Sequence, residues 1–166
     1  SFISEYQDES TLCVVRGFVD GTPLDQLAAA APLEPRRAVG IILQLCDILN
    51  YLHSQNPPII HRDIKPQNVI VDERGRVTLI DFGISRMYDA GARADTLCFG
   101  TRHYAAPEQY GFAQTDPRSD IYSLGVLLCW LLTGEVEVDQ GKKAINNPRL
   151  LAVVEKCTAF DPRGRF

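Results

Sequence analysis

One eight-residue stretch concentrates the groups with the most chemical potential. His61-Arg62-Asp63-Ile64-Lys65-Pro66-Gln67-Asn68 sets a carboxylate, an ammonium and an amide close together. Eighteen positions after Asp63 comes a second carboxylate, in Asp81-Phe82-Gly83, and further on stand Gly100-Thr101 and Ala106-Pro107-Glu108. Carboxylate and amide oxygens are hard donors of the kind that Mg²⁺ accepts. A lysine ammonium is a compact positive charge suited to an anionic group.

The elements that must carry these groups follow from local patterns. Phe2-Ile3-Ser4-Glu5-Tyr6 and Leu12-Cys13-Val14-Val15 read as a strand hairpin, and Gly17 to Gly21 as a connector. Thr22-Pro23 reads as the cap and first position of a short helix through Ala30. From Glu34 to Ser54, apolar residues at Ala38, Ile41, Ile42, Leu45, Leu49 and Leu52 mark one face of an α-helix. Val69-Ile70-Val71 and Val77-Thr78-Leu79-Ile80 flank Asp72-Glu73-Arg74-Gly75-Arg76, a hairpin with Gly75 at the left-handed position. This hairpin lies between the two acidic motifs. Asp81 to about Arg118 shows no sustained period, and irregular stretches of that length are usually functional. Asp120 to Thr133 is apolar nearly all round and reads as a buried helix closed by Gly134. A polar linker is expected after Gly134, followed by a helix from about Pro148 to Cys157.

Composition narrows the classes. The 166 residues, 45% hydrophobic and 23% charged, suit one globular domain with a sizeable core. Lys and Arg number 17 against 21 Asp and Glu, a net charge of −4, which argues against nucleic acid as a partner. The cysteines, Cys13, Cys46, Cys98, Cys129 and Cys157, are odd in number and form no CxxC or zinc-spaced cluster. Most lie in apolar runs, which suits free thiols in a reducing, cytoplasmic compartment. Ser1 to Ser10 is polar, unlike a secretory signal, and the longest apolar stretch, Ile121 to Leu132, is too short to span a bilayer.

The ordered motifs, at this spacing and with a hairpin between the first two, resemble the eukaryotic-type protein kinase family. The resemblance covers nearly the whole chain. It implies an α+β, protein-kinase-like fold, with a mostly helical large lobe and a partial β small lobe. Residues 1–19 would be a remnant of the small lobe and the hinge, and residues 20–166 the large lobe. It further implies a kinase that transfers the γ-phosphoryl of Mg-ATP to protein Ser or Thr hydroxyls. Lys65, two positions after Asp63, and Thr101 resemble Ser/Thr-specific members. Gly100 to Tyr110 and Asp120 to Gly125 resemble bacterial ones, whose cytosolic domain is often anchored by a later membrane segment.

By the same resemblance, Asp63 would be the base for the substrate hydroxyl, and Lys65 would meet the transferred phosphate. Asn68 and Asp81 would hold Mg²⁺. Adenine would bond the backbone of Gly17 and Val19, with Ile70 beneath it. Arg16 departs from the pattern, which has an uncharged residue there. Arg62 and Arg86 would form a cationic pocket for a phosphate on the segment after Asp81, with Thr96 the candidate acceptor. His61 and Phe82 would pack in the core. Asp120 would accept backbone N–H bonds from the stretch around Asp63, and Glu108 would pair with Arg165.

The family's Gly-rich loop, strand lysine and helix glutamate have no counterpart before His61, and Lys65 is the first lysine in the chain. With Ser1 at the start, Met87 the sole methionine and no final helix after Phe166, the expectation is a kinase fragment of little activity alone. Two alternatives stay open: a pseudokinase scaffold, and a small-molecule phosphotransferase.

Overall fold

A computed structural model describes residues 2–7, 12–82, 86–87, 103–110 and 114–166. Strands β1 (Phe2–Gln7) and β2 (Leu12–Arg16) pair antiparallel as a separate ribbon. A three-stranded sheet follows in the order β3-β5-β6, built from Thr22–Pro23, Val69–Val71 and Val77–Leu79. Strand β4 (Ile59–Ile60) pairs with β7 (Arg86–Met87). The helices are α1 (Leu24–Leu27), α2 (Pro35–His53), α3 (Pro117–Thr133), α4 (Val138–Ala144) and α5 (Pro148–Cys157). Single 3₁₀ turns lie at Pro66–Asn68, Pro107–Tyr110 and Pro162–Gly164.

The core forms where α2 meets α3. All six apolar residues of the α2 stripe are buried, and Leu45, Leu49, Leu127 and Leu131 are at most 1% exposed. Each such leucine contributes about 2 kcal/mol of transfer free energy. Helix α3 is apolar around its whole circumference because α2, α4 and α5 all pack on it. Asp116 caps it by accepting the Arg118 N–H at 2.8 Å, and Gly134 ends it with φ 76°. Among the described residues no single helix is long and apolar enough to cross a membrane. The Cys129 and Cys157 thiols are buried, and burial raises both pKa values, Cys157 to about 11.

The side chain of Gln44 fastens the β5–β6 hairpin to α2. Its amide donates to the Gly75 carbonyl at 2.9 Å and accepts the Val77 N–H at 3.0 Å. Gly75 is left-handed, φ 75°.

Two elements differ from the sequence expectation. Thr22-Pro23 does not open a helix but pairs with Val71 and Ile70, so α1 shrinks to Leu24–Leu27. Gly21 makes this possible. At φ 138° it lies so close to β5 that a Cβ would stand 2.7 Å from the Val71 carbonyl oxygen. Second, the segment expected as a plain linker contains α4. It packs on α3 through Gly141, where a side chain would collide with Cys129. Helix α3 also starts three residues earlier than expected, because Pro117 takes its first position.

Candidate active site

Asp63 stands in the extended segment between β4 and the 3₁₀ turn. Its Oδ2 lies 2.7 Å from the Lys65 ammonium and accepts the Asn68 amide N–H at 2.9 Å. The same Asn68 nitrogen donates to the Asp63 carbonyl at 2.8 Å. Lys65 and Asn68 thus both hold the same oxygen of the Asp63 carboxylate, each with a hydrogen-bond donor. Both bonds use the Asn68 side-chain nitrogen and neither uses its oxygen.

The hairpin then returns the second carboxylate. Ile80 N–H donates to the Asn68 carbonyl at 2.8 Å, which brings Asp81 to the end of the hairpin where Asn68 sits. Asp81 is left-handed, φ 63°, as is Arg62, φ 71°. Such backbone costs of order 1–3 kcal/mol for a residue with a Cβ and concentrates at functional sites.

The segment before Asp63 is held from below by α3. Asp120, fully buried, accepts His61 N–H at Oδ2 (2.9 Å) and Arg62 N–H at Oδ1 (2.8 Å). His53, from the last turn of α2, approaches Oδ2 through Nε2 at 2.8 Å. A buried carboxylate needs this many partners. His61 is fully buried, accepts Asp63 N–H at Nδ1 (3.3 Å) and donates from Nε2 to the Ile80 carbonyl (3.3 Å). These contacts select the neutral Nε2–H tautomer. Burial lowers the His61 pKa, against the opposing pull of the Asp120, Asp63 and Asp81 charges and the Ile80 carbonyl.

Phe82 meets His61 edge-to-face at 4.8 Å but is 37% exposed. The expected core residue therefore has one side open. The reason is its position, since it lines a cavity of about 790 Å³ together with Gly17, Val19, Ile70, Leu79 and Asp81. That volume lies within the range of small-molecule sites. A larger hollow of about 930 Å³, lined by Asp20, Arg37, Asp72 and Arg74, touches none of Asp63, Asn68 and Asp81.

Glu108 and Arg165 form a buried pair, at 2.7 and 3.0 Å. Ser119 Oγ also donates to Glu108 at 2.7 Å, and Ser123 Oγ donates to the Tyr104 carbonyl at 2.8 Å. The first turns of α3 thereby grip both the Asp63 segment and residues 104–108. Burial pushes the Tyr104 phenol up to about 12. Thr96 and Thr101 lie outside the described residues, as does the Arg86 side chain, so the expected Arg62–Arg86 pocket does too.

Sequence reasoning missed His53, Gln109, Ser119 and Ser123. Each makes its contact across the fold, and none lies in a motif of its own. The one available signal was position. Gln109 follows Ala106-Pro107-Glu108 directly, and Ser119 precedes Asp120.

The family model of the protein kinase domain matches residues 1–162. The serine/threonine-protein kinase PknB of Mycolicibacterium smegmatis is 41% identical over 92% of this chain and 28% of its own length. PknB of Mycobacterium tuberculosis is 40% identical over 74% of this chain and 20% of its own length. PrkC of Bacillus subtilis is 31% identical over 96% of this chain and 28% of its own length. The chain thus spans between 20% and 28% of the length of these relatives. Motif order, the placement of Asp63, Asn68 and Asp81, and a family match over nearly every residue lead to one assignment: this chain belongs to the protein kinase domain family.

Proposed function

We propose that the protein containing this chain is a serine/threonine kinase that transfers the γ-phosphoryl of Mg-ATP to protein hydroxyls. The observation that carries this reading is the Asp63 carboxylate, held at 2.7 Å by Lys65 and 2.9 Å by Asn68, with Asp81 delivered by the same hairpin.

The residues suit the nucleotide and the ion. The cavity beside Asp81 has apolar walls in Ile70 and Leu79 and passes the Gly17–Val19 backbone, whose N–H and C=O groups can bond an adenine edge. The Asn68 and Asp81 oxygens are hard donors. Mg-ATP supplies the phosphoryl group to be transferred. Asp63 orients the incoming hydroxyl and takes its proton. Lys65, already beside Asp63, places a positive charge where the transferring group is most anionic. Asn68 fixes the rotamer of Asp63 through its side-chain nitrogen, and its oxygen would be one of the hard ligands that hold the ion. Arg62, Arg86, Thr96 and Thr101 are assigned to control of the segment after Asp81. Residues 1–19 are read as the end of the small lobe, and the remainder as the large lobe. Partners are proteins that present Ser or Thr, and the assigned compartment is the cytoplasm.

The test uses the full-length protein, Mg-ATP and Ser/Thr peptides, with Asp63→Asn as the variant. Transfer to Ser or Thr that falls about 10²–10⁴-fold in the variant is expected. Equal transfer by both proteins refutes the role of Asp63. Nucleotide binding without any transfer favours a scaffold, and transfer to small molecules alone favours a small-molecule phosphotransferase. Residues 1–166 alone are expected to transfer little, because the family's phosphate-covering loop and strand lysine have no counterpart among residues 1–60.

A further inference from the structure

The backbone that leads into Asp63 is held on every side by hydrogen bonds. Arg62 N–H goes to Asp120 Oδ1 at 2.8 Å. The next peptide unit joins the Arg62 carbonyl to the Asp63 N–H. Its N–H goes to His61 Nδ1 at 3.3 Å, and its carbonyl accepts from Gln109 Nε2 at 2.8 Å. Gln109 is 1% exposed and sits at the 3₁₀ turn Pro107–Tyr110, 47 residues away in sequence. Its other side-chain atom is also used, because Oε1 accepts Ala106 N–H at 3.0 Å. One buried amide therefore joins the 104–108 segment to the peptide plane that aims Asp63.

We propose that Gln109 is a positioning residue for phosphoryl transfer, transmitting the placement of residues 104–108 to Asp63 through the Arg62 carbonyl. A left-handed residue such as Arg62, φ 71°, needs external bonds to stay in that conformation. Asp120 holds its N–H, and Gln109 holds its C=O. Without Gln109 the 62–63 peptide can rotate, and the Asp63 carboxylate turns with it. Tyr104 and Glu108 are anchored on α3 by Ser123 and Ser119, so the Gln109 turn has a fixed base from which to act. The kinetic part of this proposal rests on the kinase reading, while the contact itself does not.

Two variants separate the halves of the bridge. Gln109→Glu keeps an acceptor for Ala106 but has no N–H for Arg62. Gln109→Leu removes both. In full-length protein, kcat for peptide phosphorylation is expected to fall roughly tenfold to a hundredfold in both, since a displacement of about 1 Å costs that much. The KM for ATP is expected to stay near wild type, because Gln109 does not line the cavity beside Asp81. Val154→Ala, a core truncation in α5, is the control for lost stability and should leave kcat unchanged. Amide hydrogen exchange over residues 61–65 is expected to quicken in both Gln109 variants and not in the control. Wild-type kcat in Gln109→Glu, or a fall matched by Val154→Ala, overturns the proposal. So does unchanged exchange over residues 61–65. A wild-type protein that transfers no phosphate, yet shows this exchange coupling, refutes the kinase reading and leaves the Gln109 bridge standing.

Discussion

Arg165 and Glu108, 57 residues apart, meet as a two-pronged pair with side chains 0% and 5% exposed. The remaining guanidinium hydrogens go to the carbonyls of Arg118, Ala159 and Phe160, at 3.0, 2.8 and 3.1 Å. The Tyr122 ring lies 4.9 Å from its central carbon. All five donors of one arginine are therefore used in tying residues 108, 118 and 159–160 together.

Removal of either partner leaves the other charge buried and alone, which costs about 3–5 kcal/mol. Arg165→Met and Glu108→Gln are each expected to lower the denaturant midpoint by a corresponding amount. The double variant should be less unstable than the sum of the two. Additive losses in a double-mutant cycle contradict the pairing.

His61 gives stability a pH dependence of known sign. Burial lowers its folded-state pKa below the ordinary 6.5. Between those values the unfolded chain binds a proton that the folded chain resists, so stability falls as pH drops below about 6.5. Asp161, held at about 2 by Arg163, loses its contribution only below its ordinary 3.8 and does not overlap this window. Urea midpoints at pH about 7.5 and about 5.5 check the effect. His61→Phe should flatten the change over that interval, and an undiminished slope would assign it to other groups.

Asn68→Asp tests the grip on Asp63. It replaces a donor 2.9 Å from the Asp63 carboxylate with a second carboxylate. Like charges at this distance repel, so Asp63 should turn away or take up a proton. On the proposed function, kcat should fall about 10²-fold or more, with the pH optimum displaced upward. An unshifted optimum would mean that Asn68 does not set the state of Asp63.

Gly141→Ala tests the seat of α4. The added Cβ would overlap Cys129 Sγ and stand 3.2 Å from Thr133 Oγ1. Alanine is the better helix former, so propensity alone predicts about 1 kcal/mol of stabilisation. Overpacking of a close helix contact costs typically 1–3 kcal/mol. The net change expected is destabilisation, read as a lower melting temperature, and a gain would show that α4 can move off α3 freely.

These residues also show what could be read from the chain. Helix α2 was legible because its apolar spacing records a single buried face. The β5–β6 hairpin was legible because its strands and turn are adjacent in sequence. Helix α4 was not, since seven residues with three charges and a central glycine carry no apolar period. Thr22-Pro23 looked like a helix start because its strand partners in β5, Val71 and Ile70, lie 49 and 47 residues away. At the site, Asp63, Asn68 and Asp81 stood out through motif spacing. The partners that orient them did not, because a buried glutamine or an interhelical histidine is marked only by the fold around it.

The long reach of these supports affects the order in which the protein is made. His53 meets Asp120 across 67 residues, Arg62 meets Gln109 across 47, and Glu108 meets Arg165 across 57. A polypeptide leaves the ribosome from its N-terminus. Asp63, Lys65 and Asn68 therefore emerge well before Gln109 and Asp120, and Arg165 comes later still. Until then the nascent chain carries the reactive side chains without the scaffold that aims them, so a message cut short before Gln109 yields the motif but not the site.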